Sequence, residues 1–366
     1  MKSLHDGLSF KSIGEDLQSL DNAKKVIRAD VNDAWFEPSP KVTEKLKKNL
    51  VFFAKSSPPV YSSGLIQAIA ASRNLSVENI AVSSGVSSLL YSFFPNLLMP
   101  KSKVLIVDPM YGEYNHILKN VTGSRIRKFF LKPENYYVVN AQNLLRVVQQ
   151  LKPSLVVLTN PSNPTGKYLQ KDYFLNMLEQ LPRKTRLLID ETYLDFVDRN
   201  LSLDALVSLS SKIIVVKSFS PAFALSGLRV GYMVADAKII QELNKFIPPW
   251  SVSLPAQAAA IEALHDEKYY NDQYKKTHEM RNQMMNELKE ISTIRLYNSE
   301  TNFFMFELLR EDLLADKICG ELANDQIFIC NCDSMSDQFN NKFLRVSVQT
   351  EKENKLLVKA LKAATR

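Results

Sequence analysis

Leu155-Val156-Val157-Leu158-Thr159-Asn160-Pro161-Ser162-Asn163-Pro164-Thr165-Gly166 is the stretch on which the reading of this chain turns. Four apolar residues without alternation run straight into hydroxyls, amides, prolines and a glycine. An apolar run of this length suits a strand buried on both faces of a parallel sheet, and the turn residues behind it end the strand. Three other stretches share this build. Val104–Val107 leads into Asp108-Pro109-Met110-Tyr111, Arg186–Ile189 into Asp190-Glu191-Thr192-Tyr193, and Lys212–Val216 into Lys217-Ser218-Phe219-Ser220. Segments of helical period lie between them, such as Tyr173-Phe174-Met177-Leu178-Leu181. Strand, helix, strand in this order predicts an α/β fold with a mostly parallel open sheet. Ligands of such sheets sit beyond the carboxyl ends of the strands. Four polar strand ends therefore predict one shared pocket.

The character changes after Pro248-Pro249-Trp250-Ser251, which reads as a hinge. A helix opening at Pro255–Leu264 is expected to continue to about Ile291, with short strands following at Phe303–Phe306, Ile327–Cys330 and Leu344–Val348. The expected organisation is a large three-layer αβα domain over 36–250 and a smaller α+β domain over 251–366, which the N-terminal segment 1–35 joins.

Composition narrows the class. The 366 residues are 45% apolar and 23% charged, the balance of an ordinary globular protein, which excludes disorder and collagen. Three cysteines exclude a disulfide framework. The longest apolar stretch, Leu89–Met99, is broken by Ser92, Pro95 and Asn96 and is too short to span a bilayer. The opening MKSLHDGLSF lacks the apolar core of a secretory signal, so a cytoplasmic location is expected. A net charge of +7 is mild, and clusters such as Lys45-Lys47-Lys48 read as solvated helix faces. Neither a nucleic-acid nor a membrane partner is expected.

Several chemistries find no support. The chain has no GxGxxG, no P-loop and no GxSxG elbow, and its four histidines lack metal-ligand spacing, so no metal is expected. The strand-end residues suit another task. A carboxylate such as Asp190 can hold a ring nitrogen protonated, while Tyr193 and Asn163 can bond a ring hydroxyl. Ser218, Ser220 and Arg229 can bind a phosphate dianion, and Tyr111 can stack on a flat ring. Together they describe a pocket for pyridoxal 5'-phosphate.

Asn163-Pro164-Thr165-Gly166, Asp190-Glu191-Thr192-Tyr193 and the run from Ser218 through Arg229 to Tyr232 resemble the fold-type I (class I/II) aminotransferases, nearest to the histidinol-phosphate aminotransferase and threonine-phosphate decarboxylase branches. The resemblance covers almost the whole chain. Asn32-Asp33-Ala34-Trp35-Phe36-Glu37-Pro38-Ser39-Pro40 is similar to the family's N-terminal N-E-x-P segment. Ser84-Gly85-Val86-Ser87 resembles the helix start that receives the cofactor phosphate, and Phe343–Val348 the segment whose arginine grips the substrate anion. The resemblance implies that Ser84, Gly85 and Val86 contact the phosphate and that Asn32 and Arg345 face the substrate. It also implies that Tyr61 reaches the cofactor of a neighbouring subunit, and so a homodimer acting on a small amino substrate.

One position departs from the family pattern. The lysine that carries the cofactor covalently and moves the proton is expected at position 221, and position 221 is proline. The nearest amine, Lys217, lies four residues earlier at the strand end. Three readings stay open: a lysine-less member that holds pyridoxal or pyridoxamine 5'-phosphate noncovalently, an introduced substitution, or a lysine recorded as proline. The leading functional expectation is an aminotransferase acting on a small amino acid or amino phosphate. A phosphorylated-amino-acid decarboxylase is the alternative, favoured by Pro249-Trp250-Ser251-Val252 and Gln349. A catalytically silent cofactor binder on the same scaffold is the third.

Overall fold

The computed structural model describes residues 9–366, and alternation of side chains along buried strands organises it. Twelve strands form two sheets among the described residues. The larger sheet contains β2 (Ile80–Ser83), β3 (Lys103–Asp108), β4 (Arg125–Phe130), β5 (Leu155–Thr159), β6 (Arg186–Asp190), β7 (Ile213–Ser218) and β8 (Gly231–Ala235). Their order is β2-β8-β7-β6-β5-β3-β4, and β8 alone runs opposite to the other six. All four strands expected from apolar runs are present, side by side at its centre.

Each face of this sheet has its own apolar layer. Leu187, Ile189, Ile213 and Val215 pack with residues of the helices Ser63–Arg73, Ala141–Leu151, Lys171–Gln180 and Leu254–Leu264. Leu188, Ile214 and Val216 face the other way, onto Leu89, Leu90, Phe93 and Phe94 of the helix Gly85–Leu97 and onto Tyr114 and Ile240. Leu187 and Leu188 are neighbours in sequence, yet they belong to different layers because side chains alternate along a strand. The result is the three-layer α/β arrangement that the sequence predicts.

The smaller sheet, in the order β1-β11-β12-β10-β9, contains β1 (Ile27–Ala29), β9 (Ile294–Tyr297), β10 (Phe303–Leu308), β11 (Ile327–Asn331) and β12 (Phe343–Ser347). β1 pairs in parallel with β11, so the chain's beginning is tied to its last third. Met280, Met284 and Leu288 of the helix Glu267–Leu288 and Leu357 and Leu361 of the helix Glu351–Ala364 cover this sheet. Thr350 and Glu353 close a capping box at the start of that last helix.

One expectation is corrected. The helix expected from Pro255 to about Ile291 is two helices, Leu254–Leu264 and Glu267–Leu288, with the break at His265-Asp266. The first sends Ala256, Ala259, Ala260 and Ala263 into the core of the large sheet, while Met280, Met284 and Leu288 of the second cover the small one. A straight helix cannot serve both cores, and Asp266 N–H bonding to the Ala263 carbonyl at 3.2 Å closes the first.

Candidate active site

Strand alternation that separates Leu187 from Leu188 also sorts the polar residues at the strand ends. Asp190 ends β6 and Ser218 ends β7, in phase with Leu188 and with Ile214 and Val216. Both line a cavity of about 240 Å³. Asn32, Val86, Tyr111, Asn163, Tyr193, Ser220, Pro221, Arg229 and Arg345 also line it. The shared pocket predicted from four strand ends is formed by all four, through Tyr111 just behind β3, Thr159 from β5, Asp190 from β6 and Ser218 from β7.

Asp190 is 8% exposed. Its carboxylate accepts from Tyr114 Oη at 2.7 Å and from the Thr192 backbone N–H at 2.9 Å. Burial raises its pKa above the ordinary carboxylate value, and the bonds from Thr192 and Tyr114 only partly oppose this. No cation forms an ion pair with it among the described residues. A protonated ring nitrogen would supply that missing charge.

Tyr193 stands on the turn after β6, edge-on to Phe303 with ring centroids 5.0 Å apart. Its phenol pKa is pushed up to about 12, chiefly by burial, with Asp190 and Asp33 adding to the rise and Arg345 and the Asn32 bond opposing it. The phenol therefore keeps its proton near neutrality, and it accepts from Asn32 Nδ2 at 2.9 Å. Asn32 Oδ1 is buried with no hydrogen-bond partner among the described residues. Arg345, on β12 and 2% exposed, donates from Nη1 to Asn163 Oδ1 and from Nη2 to the Asp30 carbonyl, each at 2.7 Å. The small sheet thereby holds the Asn163 amide in the cavity wall of the large one.

An anion cradle forms where β8 and the helix Gly85–Leu97 converge. Arg229 Nη1 donates to Ser220 Oγ at 3.2 Å and to the Ser226 carbonyl at 2.9 Å. Its guanidinium has no carboxylate partner among the described residues and stays exposed. Gly85 opens the helix at φ +86, a conformation that glycine adopts freely. A Cβ there would lie 2.9 Å from Arg229 Nη2, and one at Gly231 would lie 2.8 Å from the Val86 amide nitrogen. Gly85 thus lets the helix start approach the arginine, and Gly231 lets it approach β8.

Two expected residues do not line the cavity: Ser84 and Gly85 stand at the helix start, Gly85 beside Arg229. Tyr61, expected at a neighbouring subunit's site, occupies an exposed turn. Residues that sequence reading missed do line it: Val31, Asp33, Ser87, Leu90, Tyr114, Thr159, Thr192 and Ser226. Tyr114, the partner of Asp190, had no local signal.

Lys217 faces away from the cavity. It is in phase with Val215 rather than Val216, and it is 1% exposed. Its Nζ lies 2.8 Å from Glu191 Oε2 and 3.1 Å from Ser202 Oγ. Arg73, Asp195 and Asp204 continue this buried network, Arg73 reaching Asp195 at 3.0 Å and Asp204 at 4.0 Å.

The cavity thus pairs a buried carboxylate with an exposed arginine and serines, beside a phenol and an amide, in a wall fit for a flat, phosphorylated, nitrogen-containing ring. The family comparison agrees with this chemistry: the model for aminotransferase class I and II matches residues 24–361, and the chain belongs to that family. A histidinol-phosphate aminotransferase from Ruminiclostridium cellulolyticum is 26% identical over 342 residues, covering 92% of each chain. Among solved structures, histidinol-phosphate aminotransferase from Sinorhizobium meliloti in complex with pyridoxal-5'-phosphate superposes with a TM-score of 0.87 at 23% identity, covering all of this chain and 95% of that one. L-threonine-O-3-phosphate decarboxylase from Porphyromonas gingivalis gives 0.80 at 20% identity, covering 92% and 99%. These two show the shared fold.

Proposed function

We propose that the protein is a pyridoxal-phosphate-dependent enzyme of the aminotransferase type, acting on a small amino acid or amino phosphate. The observation that carries this reading is the convergence of Asp190, Asn163, Tyr193, Arg229 and Arg345 on one cavity in a chain of this family. When bound, the cofactor supplies an electron sink for bonds at the substrate's amino carbon. Asp190 keeps the ring nitrogen protonated. Tyr193 and Asn163 would donate to the ring oxygen, Tyr111 would pack against the ring, and Arg229, Ser218 and Ser220 would hold the phosphate, aided by the helix start at Ser84-Gly85-Val86. Arg345 and Asn32 orient the substrate.

No membrane-spanning helix occurs among the described residues, and we place the enzyme in the cytoplasm. We read it as a homodimer in which Tyr61, 80% exposed here, completes the site of the second subunit. Pro221 lines the cavity where a base would otherwise move the substrate proton, and the lining has no amine and no imidazole. Turnover is therefore expected to fall roughly 10²–10⁴-fold below that of a site with a positioned base.

The test begins with titration of the protein with pyridoxal phosphate, followed by absorbance. Amino donors, histidinol phosphate first, are then assayed for oxo-acid formation. Binding with amino transfer supports the reading, and absence of cofactor binding overturns it. The fold shared with a threonine-phosphate decarboxylase favours a second reading, in which carbon dioxide is released from a phosphorylated amino acid. The same incubation distinguishes the two by its product.

A further inference from the structure

An aldehyde is retained covalently by a protein only through a nucleophile such as a primary amine, so the amines around the cavity decide how a cofactor is held. None of the residues lining the cavity is a lysine. Pro221 is buried in the wall between Ser220 and Ser226 and carries no amine. Lys217, nearest in sequence, is on the other side of the sheet with its ammonium held by Glu191 and Ser202. Turning it toward the cavity would leave Glu191, 1% exposed, buried without its cation. Lys167 lines a second, smaller chamber with Val107, Tyr168 and Phe174, which meets the first only at Thr159.

We propose that this cavity holds its cofactor by noncovalent contacts alone and exchanges it with solvent, taking the aldehyde form (pyridoxal phosphate) and the amine form (pyridoxamine phosphate) alike. The inference rests on the functional reading above and deepens it. All the affinity then comes from Asp190 toward the ring nitrogen, Tyr193 and Asn163 toward the ring oxygen, and Arg229 with its serines toward the phosphate. These contacts are the same for both forms. A substrate amine reaches the aldehyde carbon without displacing a lysine.

The experiment uses the full-length protein with one equivalent of pyridoxal phosphate, treated with borohydride and weighed intact. Borohydride adds hydride to a carbon–nitrogen double bond and makes it permanent. An excess of pyridoxamine phosphate in a parallel sample blocks the cavity, so that labelling of exposed lysines is subtracted. Expected are dissociation constants for the two forms within about tenfold of each other, loss of cofactor on gel filtration, and no blockable gain in mass. A blockable mass gain in the unaltered protein overturns the proposal while leaving the functional reading intact. Failure of both forms to bind overturns the functional reading itself. Pro221→Lys supplies the missing amine: its nitrogen bonds to the aldehyde carbon as water leaves. This variant should gain blockable mass and retain pyridoxal phosphate at least about tenfold more tightly, with little change toward pyridoxamine phosphate. If the variant does not fold, the result on the unaltered protein still decides.

Discussion

Asp190 and Glu191 are consecutive carboxylates at the end of one strand, and they lead opposite lives. Glu191 looks to one side of the sheet, where Lys217, Ser202 and the Leu203 backbone N–H satisfy it. Asp190 looks to the other side, where it has two hydrogen bonds and no counter-ion among the described residues. Lys217 and Ser218 on the next strand repeat the division. A buried charge with its partners present is architecture, whereas one whose partners are neutral is poised for a ligand. Parity along the strand decides which is which.

The widest gap between the two faces should open in stability. Lys217→Met leaves Glu191 buried without its cation, and loss of one member of a buried pair typically costs about 3–5 kcal/mol. Chemical denaturation of the variant should show a loss of that order, and adding Glu191→Gln should recover part of it. If Lys217→Met were as stable as the parent, the network of Lys217, Glu191, Arg73, Asp195 and Asp204 would not be the structural element described here.

Asp190→Asn should reverse the pattern. Removing a buried carboxylate that lacks a counter-ion should leave the cofactor-free protein as stable as before, or more so. Cofactor affinity should suffer instead: a hydrogen bond to a charged group contributes about 1.5–3 kcal/mol, so pyridoxal phosphate should bind roughly 10- to 100-fold more weakly. Calorimetric titration beside a denaturation curve reads both. A variant that loses stability and keeps its affinity would place Asp190 with the architecture.

Much of this was legible in the residues and some was not. The strands β3, β5, β6 and β7 declare themselves because burial on both faces demands uninterrupted apolar runs. β4 hides because it is the edge strand, and Arg125, Arg127 and Lys128 can reach solvent there. β2 has only four residues, and its pairing with β8 is antiparallel and distant in sequence. Asp190, Asn163 and Arg229 could be read from turn chemistry and resemblance. The bond from Tyr114 to Asp190 joins residues 76 positions apart and leaves no local trace. The direction of Lys217 was available in principle, since Ile213 and Val215 set its phase, but only the pairing of β7 with β6 shows that Glu191 waits on that side.

The smallest effect expected is also the most discriminating, because the two faces should respond to pH with opposite sign. Asp195 is paired with Arg73: burial alone would raise its pKa, but Arg73, Lys217 and Arg199 outweigh that and lower it below the ordinary 3.8. Its contribution to stability is present above about pH 3.8 and is lost as pH falls through the lower, folded-state value. Asp190, raised above 3.8 by burial, has the reverse linkage. Its contribution is fully present below pH 3.8 and is lost as pH rises through the folded-state value, because the ionised form is held at a cost in the absence of a cation. Denaturation of the cofactor-free protein at a series of pH values should therefore show Asp190→Asn gaining on the parent as pH rises from 4 to 7. Asp195→Asn, already weaker at pH 7, should close part of its deficit only in strong acid. Saturating pyridoxal phosphate should shrink the first difference, since a protonated ring nitrogen supplies the charge that Asp190 lacks, and should leave the second where it was. Parallel slopes for the two variants would mean that the faces are electrostatically alike.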